Sequence, residues 1–175
     1  TENLDCVFTA GTDFSASVSY VAQNMKLPGH SFEAALNASD KVRMRSCFAS
    51  AGVPSPRFFN ATSDDAEKSA DEILEKAGFS AFPLVVKPVD NMGGRGCRMV
   101  RSKEELIDAV KVAVQFSRTR RAILEEYMPG REFSIDALVF DGEVTITGFA
   151  DRHIYYPPYF IEMGHTMPTV LDEKD

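Results

Sequence analysis

Apolar positions recur along this chain with two periods, and the change between them marks its elements. The run "LDCVFTA" at residues 4–10, closed by Gly11, predicts a short strand. The stretch "TDFSASVSYVAQNM" then brings a cap residue and apolar positions at Phe14, Val18, Val21 and Met25, a helical spacing. Pro28 and Gly29 stop that helix, and "SFEAALNASDKVRMRSCFASAG" predicts a short helix and a second one from about Asp40 to Ala51, ended by Gly52. Pro54 and Pro56 disfavour helix in the residues before them, so "GVPSPRFF" reads as a stiff crossover and a candidate subdomain boundary near residues 53–60. "SDDAEKSADEILEKAGF" predicts a surface helix with an acidic first turn, Ile73, Leu74 and Ala77 on one face, and a stop at Gly78. "SKEELIDAVKVAVQFS" predicts another, with Ser102 and Glu105 as a capping box and Leu106, Val110 and Val114 as its apolar stripe. Three strands are expected from about residue 122 to 150. The two-residue turn Asp141-Gly142 between "FSIDALVF" and "EVTITGFA" is a strong hairpin signal, with period-two alternation on both sides.

One segment asks for more than element prediction. "FPLVVKPVDNMGGRGCRMV" is an apolar strand ending on Lys87, then Gly93, Gly94, Arg95 and Gly96 where a plain hairpin would need two residues, then a second apolar run. A glycine-rich turn lets backbone approach a phosphate closely, and its successive N–H groups can form an anion-binding concavity beside the lysine. The segment lacks the GK[ST] ending of a P-loop, and a strand follows it, so neither the P-loop nor the dinucleotide fingerprint is met. A flexible hairpin loop is the competing reading.

Downstream, "AILEEYMPGREFSIDAL" breaks at Pro129-Gly130 between a strand ending at Glu125 and Glu126 and a strand carrying Glu132. Such a break leaves the C=O of Glu126 and the N–H of Met128 available as the acceptor and donor that an adenine edge requires. Glu132 could then accept from ribose hydroxyls. Solvated carboxylates at a strand edge remain the alternative for Glu125, Glu126 and Glu132.

Composition narrows the classes. The chain has 175 residues, is 44% hydrophobic and 26% charged, and carries a net charge of −7. That acidity argues against a general nucleic-acid surface, so a lysine that meets a polyanion here does so in a local pocket. No apolar run approaches the ~18 residues of a membrane span, and Thr1-Glu2-Asn3 is not a basic signal start, so a cytoplasmic protein is expected. Cys6, Cys47 and Cys97 lack metal-ligand spacing and read as reduced small hydrophobes, and His30, His153 and His165 are too scattered for a metal site.

Lys41 in "SDKVRMR", Lys87 before the glycines and "LEEYMPGREFSIDAL" together resemble, in order and spacing, the ATP-grasp superfamily of carboxylate ligases. The resemblance implies a partial ATP-grasp fold of α/β class with an α+β lid. It divides the chain into the end of a pre-ATP-grasp α/β domain (1–38), a linking helix with the first ATP lysine (39–56), a lid subdomain (57–127) and the start of the C-terminal lobe (128–175). It implies that Lys41 and Lys87 bind the α- and β-phosphates and that Gly93, Gly94, Arg95 and Gly96 close over them as a flap. Glu125 would lie near the adenine amino group, the backbone of Glu126 and Met128 would clamp adenine, and Glu132 would bind ribose.

The reaction implied is an ADP-forming ligation in which a carboxylate, activated as an acyl phosphate, is captured by an amine. ATP and Mg²⁺ are the implied cofactors, with the acidic metal ligands of the family expected beyond residue 175, so no metal ligand and no catalytic side chain is assigned. "YFIEMGHTMPTVL" is similar to the segment before those ligands in amino-acid ligases, which would set Glu162 and His165 beside a substrate pocket, with a surface loop as the other reading. Small-molecule carboxylate and amine partners, no nucleic acid, no membrane and a homodimer of the whole protein are expected. A carbamoyl-phosphate or biotin-carboxylase type of enzyme using bicarbonate, and a non-catalytic nucleotide-binding module, are the alternatives.

Overall fold

The computed structural model describes residues 3–10 and 14–171. The chain divides between Tyr127 and Met128 into two compact units, Thr1–Tyr127 and Met128–Asp175. In the first, helices α1 (Ser15–Met25), α2 (Phe32–Ser39) and α3 (Lys41–Ser50) precede β1 (Phe58–Thr62), α4 (Ala70–Ala77), β2 (Leu84–Pro88), β3 (Arg98–Val100), α5 (Lys103–Phe116) and β4 (Arg121–Glu126). The second holds β5 (Phe133–Phe140), β6 (Glu143–Tyr155) and β7 (Ile161–Thr166). Among the described residues no helix is long and apolar enough to cross a membrane.

The first unit's sheet has the order β1-β4-β2-β3, every neighbouring pair antiparallel. One face carries Leu84, Val86, Ala122 and Leu124, on which α4 and α5 pack with Ile73, Leu106, Val110 and Val114. The stripes expected for both helices are the ones buried. Because successive strand residues alternate faces, Val85 and Lys87 of β2, and Ile123 and Glu125 of β4, all point the other way. The register sets Lys87 opposite Ile123 and Val85 opposite Glu125, which makes Lys87 and Glu125 diagonal neighbours, a spacing that long side chains span.

Three expectations are corrected. Residues 4–10 form no strand: neither sheet includes them, and Leu4 and Phe8 are exposed. Gly11, the expected strand end, lies outside the described residues. The α1 stripe is largely exposed at Phe14, Val21 and Met25, while Ser19 and Ala22, small residues that allow close approach, are the buried ones. Cys6 and Cys47 are free but exposed, not core hydrophobes.

Elements that the pattern missed have local causes. β1 follows the prolines directly, held by its register with β4 from Phe58 opposite Glu125 to Thr62 opposite Arg121. The helix expected from Ser63 begins only at Ala70, with Ser69 and Glu72 forming its capping box. Asp65 diverts the chain first: its Oδ2 accepts from the Thr62 N–H (2.9 Å) and Oγ1 (3.0 Å). Its Oδ1 accepts from Lys68 (2.8 Å) and Lys76 (2.6 Å). The β5–β6 turn is as expected, with Asp141 and Gly142 both at positive φ (49° and 83°). The segment read as a loop around Glu162 is a strand, β7, paired with β6.

Asp65 generates the first prediction. Burial pushes its carboxyl up, but the bonds from Lys68, Lys76 and Thr62 outweigh burial and hold it well below its ordinary value of 3.8. A depressed folded-state value means stability that is fully present above the unfolded value and lost progressively as pH falls from there through the folded value. Asp65→Ala, which removes the buried acceptor of Thr62, Lys68 and Lys76, should cost about 2 kcal/mol in urea unfolding at pH 7. The cost should shrink below about pH 4 as the wild-type carboxylate loses its advantage. A pH-independent loss would assign Asp65 a packing role only.

Candidate functional site

The face of the first sheet opposite α4 and α5 gathers the charged residues that the sequence singled out. Asp40 starts α3: its Oδ1 accepts from the N–H groups of Val42 (2.9 Å) and Arg43 (3.0 Å), an N-cap, while Oδ2 binds the Arg121 guanidinium. That pair ties the helix start to β4. The Lys41 N–H donates to the Val89 carbonyl (2.9 Å), and its Nζ donates to the carbonyls of Pro88 (3.0 Å) and Asn91 (2.8 Å). Lys41 therefore docks α3 onto the end of β2 and the first residues of the glycine turn.

One helical turn later, Arg45 reaches the same sheet face. Its Nε donates to Oε1 of Glu125 at 2.6 Å, and Lys87 Nζ donates to Oε2 at 2.6 Å. The Glu125 side chain is 3% exposed. Burial pushes its carboxyl up, but the Lys87 charge and the Arg45 bond outweigh burial and hold it below the ordinary value. Lys41 is lowered, first by burial and then by the Lys87 charge, with Cys97, Asp90 and Glu125 partly offsetting. Asp90 itself caps the turn at residues 117–119, accepting from the N–H groups of Arg118 (3.0 Å) and Thr119 (2.9 Å). Arg45 and Lys87 thus share a single buried carboxylate, with Lys41 held at the adjoining end of β2.

The three glycines answer the question that the sequence poses. Gly93, Gly94 and Gly96 all have φ near +70° (68°, 68° and 73°), a conformation that L side chains rarely adopt. Gly96 carries a second constraint, because a Cβ there would sit 2.9 Å from Pro88 Cγ and 3.1 Å from the Phe116 ring. A Cβ on Gly93 or Gly94 would meet open space. The turn is thus anchored at Gly96 and open at Gly93 and Gly94. Arg95 is exposed and its Nε donates to the Met92 carbonyl at 3.2 Å.

Glu126 lies at the end of β4, where its N–H donates to the Arg57 carbonyl (3.1 Å) and its carboxylate pairs with Arg57 (2.9 Å). Within the second unit, Met128 is 64% exposed, and the Glu132 carboxylate accepts from Arg152 (3.3 Å). Arg152 also binds Glu162, and His165 Nε2 lies 3.4 Å from Glu162 Oε1. The structure therefore brings together Lys41, Lys87, Glu125 and the base of the glycine turn. It adds Arg45, Asp40, Arg121 and Asp90, which sequence reading passed over. The "DKVRMR" spacing, with Lys41 and Arg45 four apart on one helix face, was the available signal for Arg45. Among the described residues no group of three or more His, Cys, Asp or Glu is placed to hold a metal ion. The described residues alone do not supply a Mg²⁺ site.

Comparison with known proteins places this geometry in a family. A model of the ATP-grasp domain matches residues 80–175, more than half of the chain. A curated relative, the uncharacterized protein y4rH of Sinorhizobium fredii (strain NBRC 101917 / NGR234), is 26% identical over 172 residues, covering 96% of this chain and 34% of its own length. The L-amino acid ligase from Bacillus licheniformis superposes with a TM-score of 0.77 at 26% identity, over 98% of this chain and 38% of that one. N5-carboxyaminoimidazole synthetase from Staphylococcus aureus, solved with ADP, superposes at 0.73 and 17% identity, over 97% of this chain and 43% of that one, a likeness of fold alone. The chain spans about a third of its curated relative and less than half of either solved structure.

The two kinds of glycine separate in a mutational test. Gly94→Ala should cost about 1 kcal/mol, the price of an unfavourable φ alone. Gly96→Ala adds overpacking against Pro88 and Phe116 and should cost about 2–4 kcal/mol. Thermal unfolding of both variants measures the difference, and equal losses would show that the close approach at Gly96 is relieved without strain.

Proposed function

The chain belongs to the ATP-grasp family, and from that premise we propose that it is the ATP-binding part of an ADP-forming ligase that activates a carboxylate as an acyl phosphate for attack by an amine. The observation that carries this reading is the cluster of Lys41 and Lys87 beside an open glycine turn. Two ammonium groups from segments far apart in sequence converge where backbone carries no side chain to keep a phosphate away.

In this reading Lys41 and Lys87 bind the α- and β-phosphates, and Gly93, Gly94, Arg95 and Gly96 close over them. Glu125, Glu126 and Met128 belong to the adenine end, and Glu132 takes the ribose hydroxyls. The assignments at Met128 and Glu132 rest on the sequence resemblance. The reaction is phosphoryl transfer followed by acyl transfer. A carboxylate oxygen of the substrate attacks the γ-phosphorus, the bond to the β–γ bridging oxygen breaks, and ADP leaves. The amine nitrogen then attacks the acyl carbon, loses a proton and expels phosphate. Positioning and neutralisation of charge carry most of the acceleration in such a transfer, so no protein nucleophile is required. A magnesium ion would supply further charge neutralisation at the γ-phosphoryl group when bound. A cytoplasmic location, small-molecule carboxylate and amine partners and a homodimer of the whole protein belong to the same reading.

The test is direct. Isothermal titration of this chain with ATP should give measurable binding, and Lys87→Ala should weaken it by about tenfold or more, the loss of one charged hydrogen bond. The control is Lys111→Ala, an exposed lysine on α5. Lys68 would be a poor control, since it pairs with buried Asp65. Equal affinities of the two variants would sink the assignment of Lys87. Bound nucleotide should also slow amide hydrogen exchange in residues 91–95 more than at the packed Gly96, and exchange unchanged by ATP would count against the flap.

A further inference from the structure

Glu125 poses a problem that the nucleotide reading leaves open. Its carboxylate is buried, and one of its two oxygens already accepts from Lys87, the lysine assigned to phosphate. A carboxylate that held the full charge of Lys87 would compete with phosphate for it. The other oxygen goes to Arg45, at 2.6 Å and in a charge-assisted bond. We propose that Arg45 is a positioning residue for phosphate binding: by taking half of Glu125, it leaves Lys87 oriented but available. This rests on the reading that Lys87 meets phosphate.

The geometry supports a division of labour along one helix face. Lys41 and Arg45 are four residues apart on α3, so both face the sheet. Lys41 holds the carbonyls of Pro88 and Asn91 on either side of Val89 and Asp90, fixing the start of the turn. Arg45 holds the carboxylate that aims Lys87. An ammonium has three donors, and Glu125 engages one in the structure, which leaves the others for a ligand. Without Arg45, a carboxylate at 3% exposure would have Lys87 as its one cation within hydrogen-bond reach, and in low dielectric that pair tightens. Lys87 would then have to abandon a buried, uncompensated charge in order to serve a phosphate. Arg45 never touches the ligand in this account. It acts through Glu125 on Lys87.

The experiment is a double-mutant cycle read with two probes, ATP and adenosine, the second having base and ribose but no phosphate. Titration calorimetry on wild type, Arg45→Met, Lys87→Met and the double variant gives the affinities. Arg45→Met should weaken ATP by about tenfold while changing adenosine by less than about twofold. In the Lys87→Met background the ATP loss from Arg45→Met should fall below about threefold, because the residue it acts through is gone. Arg45→Lys keeps the charge but not the fixed planar donor, so it should lie between wild type and Arg45→Met, and it replaces Arg45→Met in the cycle if that variant fails to fold. Equal losses for ATP and adenosine would make Arg45 a structural staple, or a support of Glu125 at the adenine end, and either overturns the proposal. An undiminished ATP loss in the Lys87→Met background would do the same, by showing that the Arg45 charge acts without Lys87. Failure of the wild type to bind ATP at all overturns the functional reading and this inference together, whereas ATP binding that ignores Arg45→Met overturns the inference alone.

Discussion

A carboxylate taken out of water must find cations or lose its charge, and Glu125 shows how far that requirement reaches. The penalty for burying an isolated carboxylate is several kcal/mol even after relaxation, and it is offset here by two charged hydrogen bonds at 2.6 Å. One donor comes from β2, the strand next to Glu125 in the sheet. The other comes from α3, eighty residues away along the chain. The bond from Arg45 therefore fixes where the helix lies on the sheet, and with it Lys41 and the capping aspartate, Asp40. Asp40 in turn meets Arg121 at the start of β4, the strand that carries Glu125. Each cross-link is made of side chains, but together they set the position of backbone: the end of β2 and the entry to the glycine turn.

That turn shows a second constraint of a different kind. Three positive φ values in four residues exclude most side chains on conformational grounds, yet a steric reason exists only at Gly96, wedged between Pro88 and Phe116. Gly93 and Gly94 face open space, so within the protein only their positive φ, not packing, asks for bare backbone. A phosphate approaching closely would ask for it, which is why the openness at these two positions supports the nucleotide reading more than the glycine count does.

The parts of the fold that could be read from sequence are those decided locally. The α5 stripe, the Ile73 face of α4, the Asp141-Gly142 turn and the Lys87 strand end each depend on spacing within a dozen residues, and the structure has them. The misses are those decided at long range. Residues 4–10 have the composition of a strand but join neither sheet, and β1 has prolines before it but β4 beside it. The capping aspartate role of Asp40 could be inferred from "SDK", whereas its pairing with Arg121 could not. Of the candidate site, the lysines and glycines were legible because the resemblance lies in their order and spacing. Arg45 was not, because its meaning lies in a register between β2 and β4 that alternation alone does not specify. In the second unit the period-two alternation on both sides of Asp141-Gly142 gave the hairpin, but Leu138, Val139 and Phe140 of β5 and Val144 and Ile146 of β6 are all exposed. The described part of that unit is three strands and no helix of its own, and alternation can bury a face only where another layer covers it.

The electrostatics of the Lys41 corner carry the synthesis one step further. Burial and the neighbouring Lys87 charge both disfavour the ammonium of Lys41, so the protein holds this cation against two opposing effects. The carbonyls of Pro88 and Asn91 satisfy two of its donors but bring no negative charge. Glu125 brings one, and both of its oxygens are already engaged by Arg45 and Lys87. An anion placed beside the two lysines would remove the repulsion between them and replace lost hydration with charge-assisted bonds. Because α3, β2 and the turn are already cross-linked, little would have to be reorganised to receive it, and affinity gained in that way comes from preorganisation more than from buried area. In the proposed reading, the same cross-links that stabilise the first unit leave its cations with donors that phosphate oxygens would meet.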